Sequence, residues 1–213
     1  MIRYSGNNPS QPTYRTLNYL AHLYFSDTNV ESRVGNLLGD FARGVDIDQL
    51  SGPIRQGLIN HRVIDQFTDT HPQVCELKTL FSSQRRRFSG IALDVLFDHF
   101  LIHHWHRYTT EPIDYFLDQA YEDLHQGLPL MPDRMQLVVR KMIEGDWIRS
   151  YEDINQVGFA LDRIAGRIRF RNNFTGSITE IKQQYAVLEA GFLQFFPDLA
   201  SFHQNNKAKI LTN

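Results

Sequence analysis

G-L-I-N-H-R-V-I-D-Q-F-T-D, residues 57–69, sets His61, Asp65 and Asp69 four residues apart, and side chains at that interval share one helix face. Leu58, Ile59, Val63, Ile64 and Phe67 fill the intervening positions, so this helix is expected to be largely buried. Imidazole and carboxylate carried inward need a compensating partner, because an unpaired buried charge is strongly destabilising. A divalent cation suits both ligand types at once. A second stretch, L-D-V-L-F-D-H-F-L-I-H-H-W at residues 93–105, repeats the arrangement with Asp94, Asp98 and His99 among large apolar residues. Two such helices facing each other would enclose a metal centre in an all-helical core.

Working outward, the periodicity predicts helices over residues 17–25, with His22 near the end, and over 30–43, closed by Gly44. An irregular stretch containing Pro53 precedes the His61 helix, which should close near His71-Pro72. A short helix over 74–81 and the long apolar helix after Gly90 follow. Further amphipathic segments cover 113–124, 135–143, 151–164 and 178–195, the last ending before Pro197. Alternating strand patterns with hairpin turns are missing. The fold expected is an all-α, single-domain helical bundle over residues 17–204. A flexible polar extension, 1–16, should precede it and a polar tail, 205–213, should follow.

The chain has 213 residues, enough for one domain with a full core. Its net charge of −2 gives no overall basic bias, so nucleic acid is not an expected partner. Cys75 is the only cysteine, which excludes an intramolecular disulfide and a thiolate cluster and suits a cytoplasmic location. No apolar run reaches membrane-spanning length.

The His and Asp residues inside apolar helical stretches are His22, Asp40, His61, Asp65, Asp69, Asp94, Asp98 and His99. Any one alone would be read as a structural hydrogen-bonder. Eight of them over four predicted helices, with no cysteine alternative, point to a metal site. The mixed nitrogen and oxygen donors suit Mn²⁺, Fe²⁺, Zn²⁺ or Mg²⁺.

The chain also carries N-Y-L-A-H-L (18–23), G-N-L-L-G-D-F-A-R-G (35–44), H-R-V-I-D-Q-F-T-D (61–69) and I-A-L-D-V-L-F-D-H-F-L (91–101). W-I-R-S-Y (147–151), G-F-A-L-D-R-I-A-G-R (158–167) and Y-A-V-L-E-A-G-F-L-Q-F-F-P (185–197) follow in order. In these segments, spread over residues 17–200, the chain resembles the acyl carrier protein phosphodiesterase family. The resemblance implies a helical fold like that of the metal-dependent HD phosphohydrolases, with Mn²⁺ as the favoured cation. It also implies release of 4′-phosphopantetheine from the serine of holo acyl carrier protein, the substrate partner.

On that resemblance His22, Asp40, His61 and Asp98 are the expected metal ligands, one from each of four helices. Asp65 is expected either to complete the ligand shell or, with His99, to act as a catalytic base or orient the ligands. HD enzymes present an adjacent His-Asp pair, whereas the adjacent pair here is reversed, Asp98-His99. Asp69 and Asp94 are equally readable as salt-bridged supports. Arg43 and Arg62 could hold a phosphate oxygen or pair with a neighbouring Asp. Carrier proteins are strongly acidic around the modified serine, so Arg85, Arg86 and Arg87 are candidate docking residues. Arg163, Arg167, Arg169 and Arg171 form a second basic segment. His103 and His106 are expected at exposed positions near a helix end, and Cys75 as a half-buried, inert residue. Two rival functions remain open at this stage. One is a related phosphohydrolase acting on a nucleotide or small phosphoester; the other is a helical module that binds carrier protein without cutting it.

Overall fold

A computed structural model describes residues 18–210 of the chain. The expected extension at 1–16 lies outside the described residues. The helices are α1 (Tyr19–Tyr24), α2 (Val30–Leu38), α3 (Gly52–Thr70), α4 (Pro72–Thr79), α5 (Ser89–His103) and α6 (Ile113–Gln126). They continue with α7 (Asp133–Glu144), α8 (Trp147–Ser150), α9 (Ile154–Arg167), α10 (Ile178–Gln183) and α11 (Tyr185–Ile210). No strand occurs among the described residues, and none of their helices is long and apolar enough to cross a membrane.

Local chemistry sets most boundaries. The Asn29 side chain accepts the Ser32 N–H at 2.8 Å and caps α2. Asp153 does the same for α9 through the Asn155 N–H. Pro53 lies in the first turn of α3 rather than in an irregular stretch before it, because a proline costs a helix nothing where the N–H has no intrahelical partner. The helix expected over 30–43 ends as α2 at Leu38 and tightens into a 3₁₀ turn, Gly39–Phe41. Gly44 then takes the left-handed backbone, φ +82°, that reverses the chain.

The segment expected to stop before Pro197 is broken instead at Gln184. It then runs on through Pro197 to Ile210, taking in part of the predicted polar tail. Proline inside a helix costs about 3 kcal/mol or more. Phe192, Phe195, Phe196 and Leu199, all buried on either side of it, hold the helix against the core. Along α6 Tyr115 is 57% exposed, while Phe116 and Tyr121 are buried.

α5 is the hub. It is apolar around its circumference, from Ile91 to Leu101, and packs against α1, α4, α9 and α11. α2 and α3 meet at two glycines: a Cβ on Gly35 would lie 2.3 Å from the Ile54 carbonyl oxygen, and one on Gly57 would lie 2.7 Å from that of Ser32. Only hydrogen fits at either position, so the two backbones close to contact. That contact delivers the end of α2 to the middle of α3.

Candidate active site

His61, on the buried side of α3, is fully enclosed, and its Nδ1–H donates to the Asn36 carbonyl of α2 at 2.7 Å. This bond settles the tautomer and turns Nε2 toward Asp65, one turn along the same helix, 3.0 Å away. His22 of α1, also buried, brings its Nε2 to 3.1 Å from the other oxygen of Asp65. The two imidazole rings stack with centroids 3.8 Å apart. Donor atoms of His22, His61 and Asp65 all lie within 4.8 Å of one another. Among the described residues these three are the one such group. The Asp65 side chain is 35% exposed, so the cluster is closed behind the histidines and open on the carboxylate side.

The donor set fits a divalent cation. Two ring nitrogens and a carboxylate converge, the tautomer of one ring is fixed by a carbonyl behind it, and neither Nε2 has a well-formed hydrogen bond. Electrostatics agree. Burial and the neighbouring His61 ring press His22 down to about 4, against the pull of Asp65, so the ring is uncharged near neutrality and has one nitrogen lone pair to offer. Burial lowers His61 too, but Asp65, Asp40 and the Asn36 carbonyl outweigh it and hold this ring above its ordinary value. Burial raises Asp65, yet the close His22 and His61 imidazoles keep it far below the carboxylate range.

A pH dependence of stability follows. His22 binds its proton in the unfolded chain near 6.5 and in the folded one only near 4, so between these values the unfolded state holds more protons and stability rises with pH. The His22 contribution corresponds to about 3 kcal/mol lost on acidification across that window. Lowered His99 and His203 add losses of the same sign below 6.5, and Asp65 adds its own below 3.8. Raised His61 and raised Asp98 act in the opposite sense, their contributions being present below 6.5 and 3.8 respectively and lost as pH rises through their folded values. Thermal melting in chelator should therefore show a falling midpoint from pH 6.5 to pH 4, with a shallower slope in His22→Gln; a midpoint flat across that range contradicts this reading.

The other expected site residues fall elsewhere. Asp98 is not in the cluster. Its two oxygens accept the backbone N–H groups of Leu20, at 3.0 Å, and Ala21, at 3.1 Å. It thus closes the N-terminus of α1, whose own cap residue, Asn18, makes no side-chain capping bond. Burial pushes the Asp98 carboxyl well up and these N–H groups pull it back, while half-buried Asp94 nearby raises it further. Asp98 positions His22 by gripping its helix.

His99 is also committed: Nδ1–H donates to the Tyr151 carbonyl at 2.7 Å, and Nε2 accepts the Tyr185 hydroxyl at 2.8 Å. The reversed Asp98-His99 pair thus lies outside the three-residue group, both members held by hydrogen bonds within the core. Asp40 lies near enough to raise both His61 and Tyr19 but outside the three-residue group.

Asp69 pairs on the surface with Lys78 at 2.9 Å. Arg43 is exposed and Arg62 half-buried, and neither forms an ion pair among the described residues. Arg85 is engaged within the chain. It pairs with Glu180 at 2.8 Å and donates to the carbonyls of Asn173 and Thr175. Arg86 and Arg87 remain exposed. His103 and His106 are exposed at the end of α5, while Cys75 is exposed rather than half-buried.

Three contributors escaped the sequence reading. Asn36 acts through its main chain, which no residue type announces. Gly39 abuts the His61 ring so closely that a Cβ would fall 1.9 Å from it. Tyr19 is fully buried beside Asp40 with a hydroxyl lacking a hydrogen-bond partner among the described residues. For Tyr19 the signal was present: a phenol three residues before His22, on its helix face.

Fold and site together define an all-helical protein with a buried imidazole–carboxylate centre open on one side. Residues 17–199 match the family described as acyl carrier protein phosphodiesterase, and the chain belongs to that family. Proteins named acyl carrier protein phosphodiesterase include one from Yersinia pestis, 36% identical over 86% of this chain and 95% of its own length. One from Serratia proteamaculans is 34% identical over 86% and 95%, and one from Escherichia coli O157:H7 is 34% identical over 85% and 94%. No solved structure matches.

Proposed function

We propose that this chain hydrolyses the phosphodiester joining 4′-phosphopantetheine to the serine of holo acyl carrier protein, leaving the apo carrier. The proposed cofactor is a divalent cation, Mn²⁺ first, held by His22, His61 and Asp65. The observation that carries the reading is the convergence of two buried imidazoles on one part-exposed carboxylate, in a chain of this family. When bound, the cation would supply a nucleophilic water near neutral pH and relieve charge on the phosphoryl oxygens.

The chain's own residues do the rest. Asn36 holds His61 in the tautomer that presents Nε2. Asp98 holds the start of α1, and with it His22. Arg43 and Arg62, cations without carboxylate partners among the described residues, are assigned the phosphate oxygens; Arg62 lies three residues before Asp65, on its side of α3. Of the two roles open to Asp65, ligand or catalytic base, the proposal takes the ligand. The cytoplasm is the proposed compartment, in keeping with Cys75 as a free, exposed thiol.

The test is incubation of purified protein with holo carrier and Mn²⁺, followed by mass measurement of the carrier. The arm should be lost, retained when chelator is present, and lost again on restoring Mn²⁺. A carrier of unchanged mass with Mn²⁺ present counts against the assignment.

A further inference from the structure

α9 presents Phe159, Arg163, Gly166 and Arg167 along one solvent-facing side. Phe159, 60% exposed, is the most exposed large apolar side chain among the described residues. The chain leaving α9 adds Arg169 and Arg171, both exposed. Arg87 reaches this segment from before α5. Its guanidinium donates to the Arg171 carbonyl at 3.4 Å and lies 4.7 Å over the Phe170 ring and 4.5 Å over that of Phe88. Arg163 lies 5.5 Å over Trp147. Two basic segments about 80 residues apart are thus one surface.

What separates these arginines from other unpaired ones such as Arg43 and Arg62 is that they gather on one surface without counter-charge. Arg33 pairs with Asp123, Arg85 with Glu180, and Arg149 with Asp114, Asp118 and Asp146. Arg86, Arg87, Arg163, Arg167, Arg169 and Arg171 have no carboxylate partner among the described residues. Clustered like charges repel one another and disfavour the compact state. In a chain of net charge −2, such a cluster calls for carboxylates from outside. The surface is connected to the proposed centre through α5. α9 packs on α5, whose Asp98 holds the helix of His22, and the Arg167 charge is felt at buried Tyr19.

We infer that this surface, with Phe159 as its apolar anchor, docks the acidic face of the carrier protein and presents the serine-linked arm to the His22–His61–Asp65 centre. The inference rests on the proposed reaction and moves the docking role from Arg85 to the exposed arginines of residues 86–87 and 163–171. Arginine with aromatic faces also suits single-stranded nucleic acid. Here, however, Phe88 is buried and Arg87 already stacks on Phe170, which is 37% exposed, so Phe159 at 60% is the one aromatic of the surface without a stacked guanidinium, which favours a protein partner.

Two variants test it in the full chain. Arg169→Glu/Arg171→Glu reverses charge on exposed positions. Gly166→Trp adds bulk where a Cβ would meet no atom within 4 Å, leaving α9 undisturbed. Both should raise KM for holo carrier by roughly tenfold or more at low salt, with kcat changed by less than about twofold. Turnover of bis-para-nitrophenyl phosphate should be unchanged. Carrier binding in chelator, read by fluorescence anisotropy, should weaken in parallel.

Unchanged KM and binding in both variants would overturn the inference. So would an equal loss on the small diester, or an oligonucleotide that binds more tightly than carrier and displaces it. If wild-type protein binds carrier but releases no arm, the proposed reaction fails while the anisotropy series still decides the docking surface.

Discussion

Asp65→Asn is expected to lower kcat for release of the phosphopantetheine arm by about 10³-fold or more, equivalent to about 4 kcal/mol of transition-state stabilisation. The carboxylate is the one group that both imidazoles face, at 3.1 Å from His22 and 3.0 Å from His61. The amide has the same shape but no charge, so two neutral rings and a carboxamide are left to hold the cation. Folding should survive, because Asp65 is part-exposed and its replacement leaves no cavity. Carrier binding in chelator should be retained, since docking is assigned to another surface. Mn²⁺ affinity, measured by calorimetry, should fall with kcat. Turnover within about tenfold of wild type in Asp65→Asn would remove the carboxylate from the ligand set and with it the proposed centre.

Asp98→Ala should destabilise the fold by about 3 kcal/mol or more, because it strands the Leu20 and Ala21 N–H groups in a fully buried site. In a chain of this size that corresponds to a melting point lower by roughly 10 °C. Asp98→Asn keeps one acceptor oxygen and should fall in between. The loss is expected to be fully present in chelator, since the role assigned to Asp98 is holding α1. A ligand would behave differently: its removal would leave the metal-free protein's melting point intact and abolish only the shift produced by Mn²⁺. That second pattern would return Asp98 to the metal and unseat the three-residue group.

The contrast between these two aspartates shows what a single chain makes readable. Spacing of four residues within α3 puts His61 and Asp65 on one face whatever surrounds them, because helical geometry is local. The pair was therefore legible, and so was the all-helical class. Asp98 carries the same signature, a carboxylate among Leu, Val and Phe, and that signature says only that the charge is buried and must be satisfied. Whether a cation or two backbone N–H groups satisfy it is invisible in the residue string. Arg85 repeats the lesson on the surface: R-R-R reads as uniform, yet the first guanidinium is consumed by Glu180 and two carbonyls while the next two reach solvent. Pro197 misled in the other direction, since a local penalty is outweighed where aromatic residues on both sides are buried.

By itself, then, the sequence determined the helical class, the face shared by His61 and Asp65, and the membership of a family whose motifs span residues 17–199. Tertiary structure alone decided that His22 rather than Asp98 meets that face, that the Asn36 carbonyl sets its tautomer, and that two basic segments become one surface. The physical reason is range. Periodicity follows from bonds along one helix. Convergence follows from how closely helices approach, and here that distance is set by Gly35 and Gly57, where the absence of a side chain lets α2 touch α3.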